Sequence, residues 1–164
     1  MPELLYNEAG SVPRMFSEKE MEASLEELKK RLRAVYSDIT VDHIIHPRNS
    51  ESLPNPDGFA VFDSGCGESM KIWLRVRDSV VVESGFWTNG CAATIACGSM
   101  STELILGKSV IQALAITAQD IAEALVDLPP GNFHCAELAA NTLRIALKDY
   151  LQIQQQPWKR LYRK

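Results

Sequence analysis

The sequence predicts an α+β fold, with strands in the middle of the chain and helices on either side. Met70, Ile72, Leu74 and Val76 alternate with Lys71, Trp73 and Arg75, and a return strand Val80 to Thr88 follows a turn at Asp78-Ser79. This is the period-two pattern of a half-buried hairpin. Residues 17–33 instead repeat apolar side chains every three or four positions, the spacing of an amphipathic helix. Beyond Cys91 the alternation stops, and the chain reads as successive helices to about Tyr150.

Length and composition set the bounds. The chain has 164 residues, 46% of them hydrophobic and 23% charged, which suits one soluble domain with an ordinary core. A net charge of −4 gives no reason to expect nucleic acid as a partner. No apolar run approaches the ~18 residues that span a bilayer, so no membrane role is expected. The first residues carry neither a signal-peptide core nor an Arg-rich transit pattern, which makes a cytoplasmic location the expectation. Four cysteines are too few for a disulfide framework in such a chain; reduced thiols used for metal or chemistry fit better.

Residues 1–16, with Pro2, Gly10 and Pro13, read as a loose lead-in. Ser17 and Glu20 form a capping-box signature, and Met21, Leu25, Leu28, Leu32 and Val35 line one face of a helix to about Arg33 or Ser37. Its acidic start and basic end suit the helix dipole, and its charges read as a solvated face. A short helix from Asp38 to Ile45 stops before Pro47, because proline disfavours helix in the residue ahead of it. Residues 49–58 form a loop, and Phe59 to Asp63 a short strand. After the hairpin, small residues (Ala92, Ala93, Ala96, Gly98, Ser99) give a helix that can pack closely on the sheet and stop at Gly107. Ser109 to Ala113 and Thr117 to Val126 are shorter helices, and residues 128–132 are a rigid loop. The last helix runs from Cys135 to about Tyr150, with Leu138, Leu143, Ile145 and Leu147 as buried candidates. The Gln-rich and basic piece 151–164 reads as a fraying tail. Residues 17–150 are expected as a single domain.

Three short stretches carry the chemistry: Gly65-Cys66-Gly67-Glu68, Asn89-Gly90-Cys91 and Phe133-His134-Cys135. Gly67 permits a tight turn round a metal, and Glu68 adds a carboxylate. Cys91 and Cys135 are expected at helix N-termini, which favour thiolate. His134 adds an imidazole. A lone cysteine is usually a small buried hydrophobe, and Cys97, six residues into the helix after Cys91, points away and is read as core packing, with a reserve thiol near the site as the alternative. His43 and His46 are read as structural or surface residues, and Trp73, Trp87 and Trp158 as packing residues. From residues alone the reading ends at a three-cysteine site for metal, cluster or sulfur.

The stretch from about 36 to 150 resembles the iron–sulfur cluster assembly scaffolds, the family of the IscU proteins and the N-terminal domain of NifU. The resemblance rests on His46-Pro47-Arg48-Asn49, Gly65 to Lys71, Gly90-Cys91-Ala92-Ala93, Ser101 to Leu104, Gly107-Lys108-Ser109, and Leu128-Pro129-Pro130 followed by His134-Cys135. It implies a three-stranded antiparallel sheet with packed helices, to which the helix at 17–33 is an addition. It also implies a non-enzymatic scaffold that accepts sulfur from a cysteine desulfurase, takes iron, builds a transient [2Fe–2S] cluster and passes it to apo iron–sulfur proteins. Cys66, Cys91 and Cys135 would be cluster ligands and sulfur acceptors, with His134 or Glu68 as the fourth ligand and Zn²⁺ in the cluster-free form. The alternative is a zinc-dependent sulfur acceptor of a cysteine desulfurase. Two departures stand out. Glu68 replaces an aspartate, and Gly131-Asn132 replaces the Val-Lys of the segment that docks an Hsp70-type chaperone, which puts that partner in question. The chain is expected to be a monomer or a homodimer.

Overall fold

Asp78 and Ser79 both adopt positive φ, 50° and 61°, the backbone sense of the two-residue turns that suit strand twist. They join β2 (Ser69–Arg77) to β3 (Val80–Thr88), and β1 (Gly58–Asp63) pairs with the other edge of β2, all antiparallel in the order β1-β2-β3. This is the three-stranded sheet expected. The computed structural model describes residues 16–162, so all of the expected lead-in except Phe16 lies outside the described residues. Six helices complete this part: α1 (Glu18–Arg33), α2 (Asp38–Ile45), α3 (Ala92–Ile105), α4 (Val110–Leu114), α5 (Ala118–Ala124) and α6 (Phe133–Gln155). Among the described residues no helix is long and apolar enough to cross a membrane.

The chain divides between Ala34 and Val35 into two units, within the span expected as one domain. In the first unit, α1 carries the expected capping box at Ser17 and Glu20 and buries none of its residues.

In the second unit, one face of the sheet is the core. Met70, Ile72, Leu74 and Val76 are buried in strict alternation along β2, as the sequence period requires. α6 packs against β1 and β2, and α3 against β3, α2 and α6. The small residues of α3 bring it close to the strands, with ten of its residues buried, Cys97 among them. Cys97 is thus a core residue, and burial pushes its thiol far up. Gly107, at φ 77°, follows the end of α3 as anticipated.

Several expectations need correction. Ile145 is 39% exposed, because the buried stripe of α6 runs through Leu138, Thr142, Leu143, Ala146 and Leu147 and a residue two steps from Leu143 and Leu147 faces away at ~100° per residue. Up to Tyr162, the last described residue, the piece expected to fray is helical: α6 reaches Gln155 because Ile153 is buried, and a 3₁₀ turn Pro157–Tyr162 follows, with Arg160 Nη2 3.2 Å from Asp57 Oδ1. Trp73 stacks obliquely on Phe59 at 5.5 Å, but Trp87 and Trp158 are 47% and 60% exposed, each under a lysine ammonium instead of in the core.

Candidate metal and sulfur site

The three cysteine stretches meet at one end of the sheet, because each lies where a strand or helix begins or ends there. The β1–β2 loop is closed by Ser64 N–H donating to Glu68 O at 2.8 Å, and Gly65 and Gly67 take φ of 75° and 84°. Neither glycine has anything within 4 Å of an added Cβ, so the backbone angle, not space, is what asks for glycine. Cys66 lies between them, exposed.

Cys91 follows β3 and is the N-cap of α3, where its sulfur makes no capping bond. Asn89 ties this segment to the first loop: its Oδ1 accepts from Ser69 N–H at 2.7 Å, and its Nδ2 donates to Gly67 O at 3.2 Å. Glu68 adds a second tie, with Oε1 accepting from Cys91 N–H at 3.2 Å. Gly90 is required by close approach, since a Cβ there would fall 2.6 Å from the Thr94 side chain.

Cys135 is the third residue of α6 and is fully buried. Its Sγ is 4.0 Å from Cys91 Sγ and 3.4 Å from His134 Nε2. Two thiolates on one tetrahedral zinc, at about 2.3 Å each, would stand about 3.8 Å apart, so the sulfur pair is already near a shared-metal spacing. One ligand atom each from Glu68, His134 and Cys135 lies within 4.8 Å of the others. Glu68 Oε2 is buried without a hydrogen-bond partner, 3.7 Å from His134 Nε2. An orphaned buried carboxylate oxygen beside soft sulfur and imidazole donors fits a bound cation. Cys66 is not part of that close group; it waits on the exposed loop next to it.

Cys135 does not show the thiolate bias expected at a helix N-terminus. Burial pushes its thiol up to about 11; the Thr94 hydroxyl acts in the opposite sense, and the neighbouring Cys91 charge adds to the rise. Desolvation is the largest cause, and a cation would reverse its effect by displacing the proton.

Sequence reasoning missed Thr94. Its hydroxyl is 3.3 Å from Cys135 Sγ, 3.4 Å from Cys91 Sγ and 3.3 Å from Glu68 Oε1. The one signal was a polar residue three positions after Cys91 on an otherwise small, apolar helix face. His43 is buried and structural as read, while His46 is exposed.

A three-stranded α+β domain that gathers thiols, a carboxylate and an imidazole at one sheet end defines a class of small soft-ligand domains. Within that class, the chain belongs to the family of NifU-like N terminal domains, whose model it matches over residues 35–157. It is 43% identical over 119 residues to the iron-sulfur cluster assembly scaffold protein IscU 1 of Archaeoglobus fulgidus, covering 72% of this chain and 78% of that one. Over 120 residues it is 40% identical to the scaffold protein IscU of Escherichia coli K12, covering 70% and 93%. Among solved structures, a putative scaffold protein for the SUF system from Fervidobacterium islandicum aligns with TM-score 0.55 at 22% identity, over 70% of this chain and 98% of that one. The N-terminal part of a NifU-like protein from Brucella abortus aligns with TM-score 0.52 at 17% identity, over 76% and 98%. At those identities the two structures share the fold. The family match begins where the second unit begins, so α1 lies outside it.

Proposed function

We propose that this chain is a scaffold for iron–sulfur cluster assembly. The observation that carries the reading is the gathering of Cys91 and Cys135 sulfurs at 4.0 Å, beside a buried carboxylate oxygen with no hydrogen-bond partner, in a chain whose relatives are named as cluster assembly scaffolds. Cys66, Cys91 and Cys135 serve as cluster ligands and sulfur acceptors, and Glu68 or His134 supplies the fourth ligand. In sulfur transfer from a cysteine desulfurase, a scaffold thiolate attacks the outer sulfur of the donor's persulfide. A new S–S bond forms on the scaffold and the donor cysteine leaves as thiolate. An electron donor then reduces that sulfur to sulfide, which joins iron in a [2Fe–2S] cluster. The glycine-flanked loop swings Cys66 in to complete the ligand set. Mixed ligation by sulfur with oxygen or nitrogen holds a cluster less permanently than four thiolates, which suits cargo due to leave for an apo-protein. Zn²⁺ occupies the same donors when no cluster is present. The reading as a zinc-dependent sulfur acceptor is not favoured, since the curated relatives are named scaffolds.

The test is anaerobic incubation with a cysteine desulfurase, cysteine, ferrous iron and a reductant, followed by visible and Mössbauer spectra. A [2Fe–2S] spectrum that fades when an apo-ferredoxin is added supports the scaffold. Zinc and persulfide retained without a chromophore would overturn it.

A further inference from the structure

On α1, Met21, Leu25, Leu28 and Leu32 recur at steps of four, three and four, the a/d spacing of a coiled-coil seam. The helix is built with care, since its N-terminus has a full capping box and Lys29–Glu26 and Arg31–Glu27 pair along its surface at 2.8 and 3.1 Å. Yet it buries none of its sixteen residues: Met21, Leu25 and Leu28 are 56%, 37% and 48% exposed, and Leu32 is half-buried. A lone helix of this length is only marginally stable in water, and an apolar stripe left wet on a capped helix calls for a partner.

Charge identifies that partner. Residues 18–25 hold three acids and one base, whereas residues 26–33 hold two acids and four bases. The two halves are therefore complementary to each other. On the seam register, Glu22 and Lys29 occupy the same flanking position one heptad apart. In an antiparallel pair of α1 helices, Leu25 of one copy faces Leu28 of the other, and Met21 faces Leu32. Glu22 then meets Lys29 twice, as two-fold symmetry demands. A parallel pair would set acid beside acid and base beside base.

We propose that α1 is a dimerisation helix, by which two copies of this chain pair antiparallel through the Met21–Leu25–Leu28–Leu32 seam. The pairing uses no residue of the cysteine site and does not depend on the cluster reading.

The test is sedimentation velocity of the full chain over a concentration series, in reductant, with and without chelator. The expected result is a concentration-dependent dimer whose mass does not respond to the chelator. L25E/L28E should give a monomer at every concentration, with the thermal transition of the rest of the chain intact. E22K and K29E should each weaken dimerisation about tenfold, the equivalent of turning two exposed ion pairs into repulsions. E22K/K29E together should restore it. A chain that stays monomeric throughout, or a dimer that survives L25E/L28E, overturns the proposal. So does a double charge reversal that behaves as the sum of its parts, because only the antiparallel register brings those two positions together.

Discussion

Thr94 Oγ1 lies 3.3 Å from Cys135 Sγ. The two residues come from different helices and are 41 positions apart. That hydroxyl is also within reach of Cys91 Sγ and Glu68 Oε1, but it has one proton to give. Cys135 is fully buried, so once a cation displaces its proton the resulting thiolate has no water to turn to, and the Thr94 hydroxyl is the donor that eases its ionisation. Thr94 is thus a positioning residue for the sulfur pair. Thr94→Ala removes the donor without weakening the helix, since alanine is the better helix former. Bound zinc, or a reconstituted cluster, should be lost about tenfold faster, in line with other outer-shell partners of metal ligands. Thr94→Ser should behave like the wild type. Chelator-competition rates would measure both, and a Thr94→Ala protein that holds metal as well as Thr94→Ser would remove the role.

Glu68 divides its two oxygens between two tasks. Oε1 accepts from the Cys91 backbone at 3.2 Å, while Oε2 is buried without a hydrogen-bond partner. Glu68→Gln keeps an oxygen for the backbone and removes the charge. Unfolding of the metal-free protein should therefore change little, by less than about 1 kcal/mol. Zinc affinity, followed by the metal-induced rise in Tm, should drop about tenfold if a charged ligand is lost. An unchanged affinity would assign the fourth position to His134 instead.

These two residues show which parts of the molecule local sequence reveals. The hairpin is legible because alternation and the Asp78-Ser79 turn are properties of adjacent residues. The cysteine stretches are legible because each lies at an element boundary among glycines or beside histidine. Thr94 is not, because its meaning appears only when α6 delivers Cys135 to it. The raised thiol of Cys135 is hidden for the same reason, since a helix end is local and burial is not. At the C-terminus, glutamines hide the one apolar residue, Ile153, that holds α6 together to Gln155. The exposed Ile145 shows the reverse error, an apolar residue credited to a stripe it does not join.

His43 gives the chain a built-in acid sensitivity. His43 Nδ1 lies 2.7 Å from Ser99 Oγ, which also accepts from Arg48 N–H at 2.8 Å. Because the carboxylate facing Nε2 can only accept, the neutral ring carries its proton on Nε2, and Nδ1 accepts from Ser99. Nε2–H thus faces Glu103 Oε2 at 3.3 Å, and the imidazole is held neutral. Burial first, and then the Arg48 charge, keep it below its ordinary range, against the pull of Glu103 and Asp42. A group that binds its proton less readily folded than unfolded gives stability that is complete above about pH 6.5, the unfolded value, and that falls as the pH drops below it. Urea midpoints at about pH 7.5 and about pH 5.5 should show this loss in the wild type and a shallower one in His43→Gln. Equal slopes in the two proteins would mean that His43 is not the titrating group.

The close approach of α3 to the sheet can be tested at Gly98. A Cβ there would fall 2.5 Å from Phe86 Cδ2 and 3.1 Å from Met70 Cε, and both of those side chains are buried. Alanine favours the helix by about 1 kcal/mol over glycine, but forcing a methyl into a filled core costs about 1–3 kcal/mol. Because Phe86 and Met70 have little room to retreat, the clash should win. Gly98→Ala is expected to lower Tm by about 2–6 °C. Gly131→Ala is the control: nothing lies within 4 Å of its added Cβ, and Tm should be unchanged. A Gly98→Ala protein more stable than the wild type would show that α3 and β3 are less tightly joined than these distances require.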